Sequence, residues 1–469
     1  MSTQWWRKTA TELARHVRAG HVSSREIVES HLSRMNEVNP RLNAVVRRLD
    51  DSALAEADEA DRRRARGESL GPLDGVPFTV KENIDVAGTP TTNSVPMLAE
   101  AFAHRDAPVV ERMRAAGGVV IGRTNLPEMG LRVHTDSSLH GLARNPWHPD
   151  RTTGGSSGGE AAALASGMSP IGLGNDIGGS LRNPAHCCGV ASIKPTVGVI
   201  PWATDIPPTS LGLAQQLMLV EGVMARRVAD VRMGFDVVRG SHPRDPFSAD
   251  VVLRGAPTER RWRVAVMAEP PGGRTDPGIA GAVRRAADVL ADLGHEVVEA
   301  VPPDFEATIE MWSSLLNLEL SVLQPLLDAV MGEDARKFLE FGRAAFPLLD
   351  AEGAASLHMR RFEVAQRWAE WFETHDTVLG PTWALPAFEH GFDVAGLDQA
   401  LVVLETFRPV MAANLFGAPA AIVPVGPVDG LPVGVQVSSW RQRDVLCLDV
   451  AQAIDERIGL DTPIDPVFE

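Results

Sequence analysis

RTTGGSSGGEAAALASGMSPIGLGNDIGGSLRNPAHCCGV, residues 151–190, is the compositional outlier of this chain, and its reading decides the fold. Glycines crowd together in it, Ala161 to Ala165 suggests a tight-packing helix, and Ile171-Gly172-Leu173 suggests a buried strand. A helix followed by a strand is α/β in character.

The flanks repeat that alternation. Upstream, Val76 to Val80 is a short strand-like run that leads into Lys81. A helix is expected over 108–116, closed by Gly117-Gly118 ahead of the apolar run Val119-Val120-Ile121. The first 66 residues read as helical from about residue 8: Ser23 and Glu26 form a capping-box pattern before Ile27, Val28, Leu32 and Met35, and Pro40 ends that helix. Downstream, Val264-Ala265-Val266, a helix over 279–293 and Val297-Val298 make a strand-helix-strand unit compatible with a right-handed crossover. Helical periodicity dominates 305–374. Apolar strands return at 376–380, 419–424 and 432–437, and a helix over about 443–457 closes the chain. With no internal repeat and no Ser/Gly linker, 1–469 reads as one α/β domain with its Gly/Ser-rich core at about 75–200 and a helical cap or flank at about 305–374.

Composition narrows the function. The chain is 44% hydrophobic and 23% charged, as a compact globular protein is. Its 45 Lys+Arg against 61 Asp+Glu give a net charge of −16, which disfavours phosphate backbones and anionic lipid surfaces. The Arg runs at 61–66 and 258–263 read as solvated faces, so no nucleic-acid partner is expected. The apolar stretch 412–428 is short for a membrane span and broken by three prolines, so it reads as buried core rather than as a membrane segment. Three cysteines, Cys187, Cys188 and Cys447, fit neither a disulfide framework nor a zinc site. Together with an N-terminal stretch, MSTQWWRKTATELARH, that has no apolar signal core, they point to the cytoplasm. No metal or other cofactor is indicated. The chain has no Tyr, so no phenol takes part in its chemistry.

Three pieces carry chemistry: Lys81 in KENID, Ser156 in GGSSGG and Ser180 in GNDIGGSLRNP. Acyl transfer needs a hydroxyl nucleophile, a base for its proton, and N–H donors aimed at the oxygen that becomes negative. Ile177-Gly178-Gly179-Ser180 can form such an anion-binding nest, with Ser180 beside it. Lys81 can act as a base only if burial lowers its ammonium pKa, and the apolar run before it offers that burial. Ser156 can pass the proton between Lys81 and Ser180, because a hydroxyl both donates and accepts.

On these residues the chain resembles the amidase signature family, whose hallmark is a Gly-Ser-rich segment of this length holding a Ser-Ser-Lys triad. The likeness extends through LDGVPFTVKENIDVAGTPTT, RNPWHPDRTTGGSSGGE, KPTVG, EGVMARRVADV and GLPVGVQV, leaving only roughly 230–375 featureless. The resemblance implies a mixed twisted β-sheet flanked by helices on both faces. It also implies Lys81 as base, Ser156 as a bridging serine on a cis peptide and Ser180 as the acylated nucleophile. The backbone amides of Ile177, Gly178, Gly179 and Ser180 become the oxyanion hole, and the carbonyl region near Gly130 receives the scissile amide. The implied activity is hydrolysis of a small-molecule amide, with anilides, carbamates and esters in reach, and a homodimer is compatible with it. Two departures stand out: Asn175, where the family commonly has Thr, and His186-Cys187 beside Cys188. Neither is expected to touch the triad, and both are expected to act on packing behind the nucleophile. Trp202, Ile206, Leu211 and Leu213 follow the core in sequence and are expected to line an apolar substrate pocket.

Other readings are weighed on the same residues. Gly154 to Gly158 also satisfies G-x-S-x-G, which would make Ser156 the attacker, but the polar, proline-broken segment before it is not the buried strand that such an elbow follows. His186 and the cysteines read as packed core, and Asp176 with Arg182 as an ion pair that props the loop. A glutaminase subunit of a transfer-RNA amidotransferase shares the signature, with Arg132 as the arguable anchor for an amino-acid carboxylate. A non-catalytic scaffold is disfavoured because all three triad positions are present.

Overall fold

The computed structural model describes residues 4–258, 260–346 and 348–468, so the first three residues of the N-terminal stretch and Glu259 of the second Arg run lie outside the described residues. The strands are β1 Val45–Arg48, β2 Pro77–Lys81, β3 Val119–Thr124, β4 Arg144–Asn145, β5 His148–Thr152, β6 Ile171–Asp176, β7 Ala191–Lys194, β8 Val220–Ala225, β9 Arg263–Val266, β10 Glu296–Glu299, β11 Thr377–Pro381, β12 Ala420–Val428 and β13 Leu431–Ser438. Eleven of them form one sheet in the order β1-β3-β2-β6-β8-β7-β12-β13-β11-β9-β10, and β4 pairs with β5 in a separate ribbon. The sheet is mixed: β3-β2-β6 run parallel at one end and β11-β9-β10 at the other, with antiparallel neighbours between.

Strand alternation sorts side chains onto two cores. On β3, Val120 joins one face while Val119 and Ile121 join the other, and on β8 Val223 and Met224 divide in the same way. The first face is covered by the helices Pro108–Ala115, Val228–Val238, Pro277–Asp292 and Asp444–Ile458, through residues such as Phe235, Val283 and Leu448. The second is covered by Ser24–Leu42, Gly158–Ala165 and Arg182–Cys188, through Val28, Leu32, Ala161 to Ala165 and Cys188. Helices therefore flank both faces, and the chain is a single domain. The segment 305–374 folds as Phe305–Val330, Glu333–Ala345 and Ala351–Trp371, whose Trp312, Phe338 and Trp368 build a third core with Phe407 and Val410.

The local expectations meet three differences. The Ser23/Glu26 capping box forms, but Pro40 does not end its helix, which runs on to Leu42. Its stop is Asn43, left-handed at φ 50°, whose N–H bonds to Asn39 O at 2.8 Å. The N-terminal region is not wholly helical, because β1 lies between two of its helices and pairs antiparallel with β3. Lys81 does not merely follow a strand but is the last residue of β2. The Arg run at 61–66 is on the surface and ion-paired, Arg62 and Arg66 to Glu59 and Arg66 also to Glu68. No described helix is long and apolar enough to cross a membrane.

Phe78, fully buried in β2 beneath Gly118, supports the strand that carries Lys81. Phe78→Ala should lower unfolding free energy by about 3–5 kcal/mol, read as a drop in the midpoint of chemical denaturation.

Candidate active site

Lys81 ends β2 and Asn175-Asp176 ends the parallel neighbour β6, so both strands deliver polar groups to the same edge, where ligands of α/β sheets gather. The Ile177–Ser180 loop turns from β6 into the helix Arg182–Cys188, and Ser156 lies just before the helix Gly158–Ala165. The two serine segments are tied by the Ser157 N–H, which donates to Ser180 O at 3.2 Å. The Gly155–Ser156 peptide is cis.

Lys81 is fully buried, and its Nζ lies 2.7 Å from Ser156 Oγ and 2.6 Å from Asn175 Oδ1. Burial lowers its pKa to about 7, against the opposing pull of Asp176, Glu160 and Glu221. A neutral amine is thus populated at physiological pH. Asn175 Nδ2 in turn donates to Asn83 Oδ1 at 3.0 Å. The expectation that Asn175 stays clear of the triad is therefore corrected: its amide is a direct partner of the lysine.

A buried ion pair holds the loop. Arg182 donates to both oxygens of Asp176, each at 3.0 Å, and also to Val410 O and Gln436 Oε1, both at 2.9 Å. Burial by itself would raise the Asp176 pKa, but the charge and hydrogen bonds of Arg182 hold it well below the usual carboxylate range. Asp176 also takes the N–H groups of Gly179 at 2.9 Å and Leu181 at 3.1 Å. This corrects the expected set of four oxyanion donors. Gly179 is committed to Asp176, while Ile177, Gly178 and Ser180 keep N–H groups with no protein partner among the described residues. Gly179 has φ +98°, a region that favours glycine, and it turns the chain so that its own amide faces back.

Trp312, from the helix Phe305–Val330, completes the loop. Its Nε1–H donates to Ile177 O at 2.9 Å, and its ring packs where a Cβ on residue 178 would come within 2.5 Å. Only glycine admits that contact. No sequence signal marked Trp312, because it lies in the stretch where the family likeness gives out.

Two chambers meet at Ser180 and share Gly130, Leu131, Ile177 and Leu316. The first contains Gly178 and is walled by Trp312, Leu320, Phe338, Phe346 and Phe407. The second contains Ser156, Asn83, Asn175, Trp202, Ile206, Leu211 and Gln215. Gly130, Trp202, Ile206 and Leu211 all line this second chamber. Leu213 does not: it opens the helix Leu213–Met218, is 52% exposed, and leaves the inner positions to Gln215 and Leu219. Arg132 also borders the first chamber, but its guanidinium grips Asp393 with bonds of 2.6 and 3.0 Å. His186 is buried against β13, where it accepts the Gly434 N–H at 3.2 Å, and the three cysteines are buried and free.

A family model described as Amidase matches residues 26–448. Over 460 residues the chain is 41% identical to the indoleacetamide hydrolase of Bradyrhizobium diazoefficiens, covering 97% of this chain and 87% of that protein. It is 33% identical over 496 residues to a glutamyl-tRNA(Gln) amidotransferase subunit of Salinispora arenicola, covering 97% and 98% respectively. Among solved structures, 6-aminohexanoate cyclic dimer hydrolase complexed with substrate matches with a TM-score of 0.84 at 30% identity, over 99% of both chains.

Asp176→Asn removes the charge that faces the fully buried Arg182. It should cost about 3–5 kcal/mol of stability, visible as a lowered denaturation midpoint, with hydrolysis falling in parallel as the loop loses its anchor.

Proposed function

The chain belongs to the amidase family, and from that premise we propose that Ser180 attacks an amide whose apolar, aromatic acyl group sits in the Trp312 chamber, with Lys81 and Ser156 carrying the proton. The protein is an amide hydrolase acting on carbon–nitrogen bonds other than peptide bonds. The observation that carries the catalytic reading is the 2.7 Å bond from fully buried Lys81 to Ser156 beside the cavity of Ser180.

The steps follow from donors and acceptors. Neutral Lys81 takes the Ser156 proton as Ser156 takes that of Ser180, and Ser180 Oγ adds to the carbonyl carbon. The resulting oxyanion is received by the free amides of the Ile177–Ser180 loop. Collapse needs a proton on the leaving nitrogen, and Ser156 returns it. Water then repeats the sequence on the acyl-enzyme and releases the acid.

Proton return also orients the substrate. Ser156 borders only the second chamber and Gly178 only the first, so the leaving nitrogen faces the second and the acyl group extends into the first. Its walls of Trp, Leu and Phe suit an aryl group, and the indoleacetamide hydrolase relative supports an arylacetamide such as indole-3-acetamide. Glutamine fits poorly, because its carboxylate would enter this chamber with Arg132 already neutralised by Asp393. This weighs against the glutaminase-subunit reading. The free, buried cysteines support a cytoplasmic setting. The exposed apolar side chains of Met359 and Phe362 offer area that a second copy could cover in a homodimer.

A fluorophosphonate probe should modify Ser180, as peptide mass mapping would show, and fail on Lys81→Ala; an adduct on Ser156 would overturn the assignment. With indole-3-acetamide, kcat/KM should fall about tenfold per pH unit below an apparent pKa of about 7, where Lys81 becomes protonated; a rate flat from pH 5 to 9 contradicts a lysine base. Indole-3-acetamide should exceed glutamine in kcat/KM by about a hundredfold or more, and the reverse preference would restore the glutaminase reading.

A further inference from the structure

A neutral lysine amine has two N–H donors and one lone pair, and only the lone pair can accept a serine proton. Lys81 Nζ has two side-chain partners, Ser156 Oγ and Asn175 Oδ1. A hydroxyl can meet either kind of site, but an amide oxygen only accepts. With Asn175 Oδ1 holding one N–H, the lone pair and the second N–H remain, and Ser156, the other side-chain partner, can meet the lone pair. Asn175 is itself oriented, because its Nδ2 donates to Asn83 Oδ1 at 3.0 Å. A flipped amide would set an N–H against the lysine and an oxygen against the Asn83 oxygen. Asn83 Nδ2 and Ser156 Oγ both approach Gly130, standing 3.7 and 3.3 Å from the point where a Cβ there would lie. The relay therefore begins at the substrate chamber, which Asn83, Asn175 and Ser156 all border.

We propose that Asn175 is a positioning residue that orients the Lys81 amine through an acceptor-only contact, with Asn83 locking the amide, so that the lysine lone pair faces Ser156. Threonine, common at this position in the family, lacks this one-way character, because its hydroxyl can also donate to the lone pair and compete with Ser156. The inference rests on the proposed role of Lys81 as base. The other titratable groups acting on the amine are Asp176 at the end of β6, Glu160 from the helix Gly158–Ala165 and Glu221 on β8, and they form a common background in every variant below.

The test is the pH dependence of fluorophosphonate labelling at Ser180 in the full chain and in Asn175→Asp, Asn175→Thr, Asn175→Leu, Asn83→Leu and Lys81→Ala, each checked for folding by its thermal midpoint. A carboxylate beside the amine favours the ammonium form, so Asn175→Asp should move the acid limb up by about one to three pH units. Asn175→Leu should lower the plateau about tenfold or more without moving the limb up, and Asn175→Thr should restore part of that loss. Should Asn175→Asp not fold, Asn83→Leu still decides: freeing the amide to flip should lower the plateau and shift the limb down. Acid limbs that coincide in all folded Asn variants, or an Asn175→Leu plateau equal to that of the unmodified chain, would overturn the positioning role alone if Lys81→Ala is inert. Labelling of Lys81→Ala at the unmodified rate would remove Lys81 as base and this inference with it.

Discussion

A lysine amine kept from water is the constraint on which the rest of this structure turns. Desolvation brings Lys81 to a pKa of about 7, and that shift lasts only while the surrounding walls stay closed. Those walls are the strands and helices themselves. β6 and β3 bracket β2, and Glu160 reaches beneath the site with its carboxylate held by Thr79 at 2.5 Å and Thr124 at 2.8 Å. Burial raises the Glu160 pKa to about 7 against those hydrogen bonds, so the same desolvation that disfavours the ammonium disfavours the carboxylate beneath it. The same dryness that frees the lysine lone pair weakens the acid beside it.

The second organising element is a knot of charge that never meets solvent. Asp176 and Arg182 are fully buried, and between them they engage two loop amides, a helix carbonyl, Asn414 and Gln436 of β13. An unpaired charge at that depth would be costly, so the pair and its hydrogen bonds must form together. This couples the Ile177–Ser180 loop to β13, on the far side of the sheet centre. Trp312 adds the helical flank by pinning the Ile177 carbonyl. One short loop is thus held by the sheet, the ion pair and the flank.

The legible parts of the fold were those with dense local signals. Ser23 and Glu26 announced their helix cap, Gly117-Gly118 the turn into β3, and the apolar runs at 119–121, 171–173, 264–266 and 432–437 their strands. β1 was not legible, because four residues between helices become a strand only by pairing with β3. Pro40 misled because a proline in the last turn removes one hydrogen bond but does not prevent Asn43 from closing the helix. Leu213 misled because apolar character in a short segment does not reveal which side of a helix faces the cavity.

Sequence alone determined the chemistry on offer: two serines 24 residues apart in glycine-rich turns, a lysine at the end of an apolar strand, no tyrosine and a strongly acidic balance. These are local facts, and backbone permissiveness and strand burial make them readable. Tertiary structure alone decided how that chemistry is aimed. Asn175 meets Lys81 across 94 residues, Trp312 meets Ile177 across 135, and Asp393 neutralises Arg132 across 261. Hydrogen bonds act over about 3 Å, whatever the separation along the chain. Partners that far apart in sequence leave no spacing to read until the sheet and its flank bring them together.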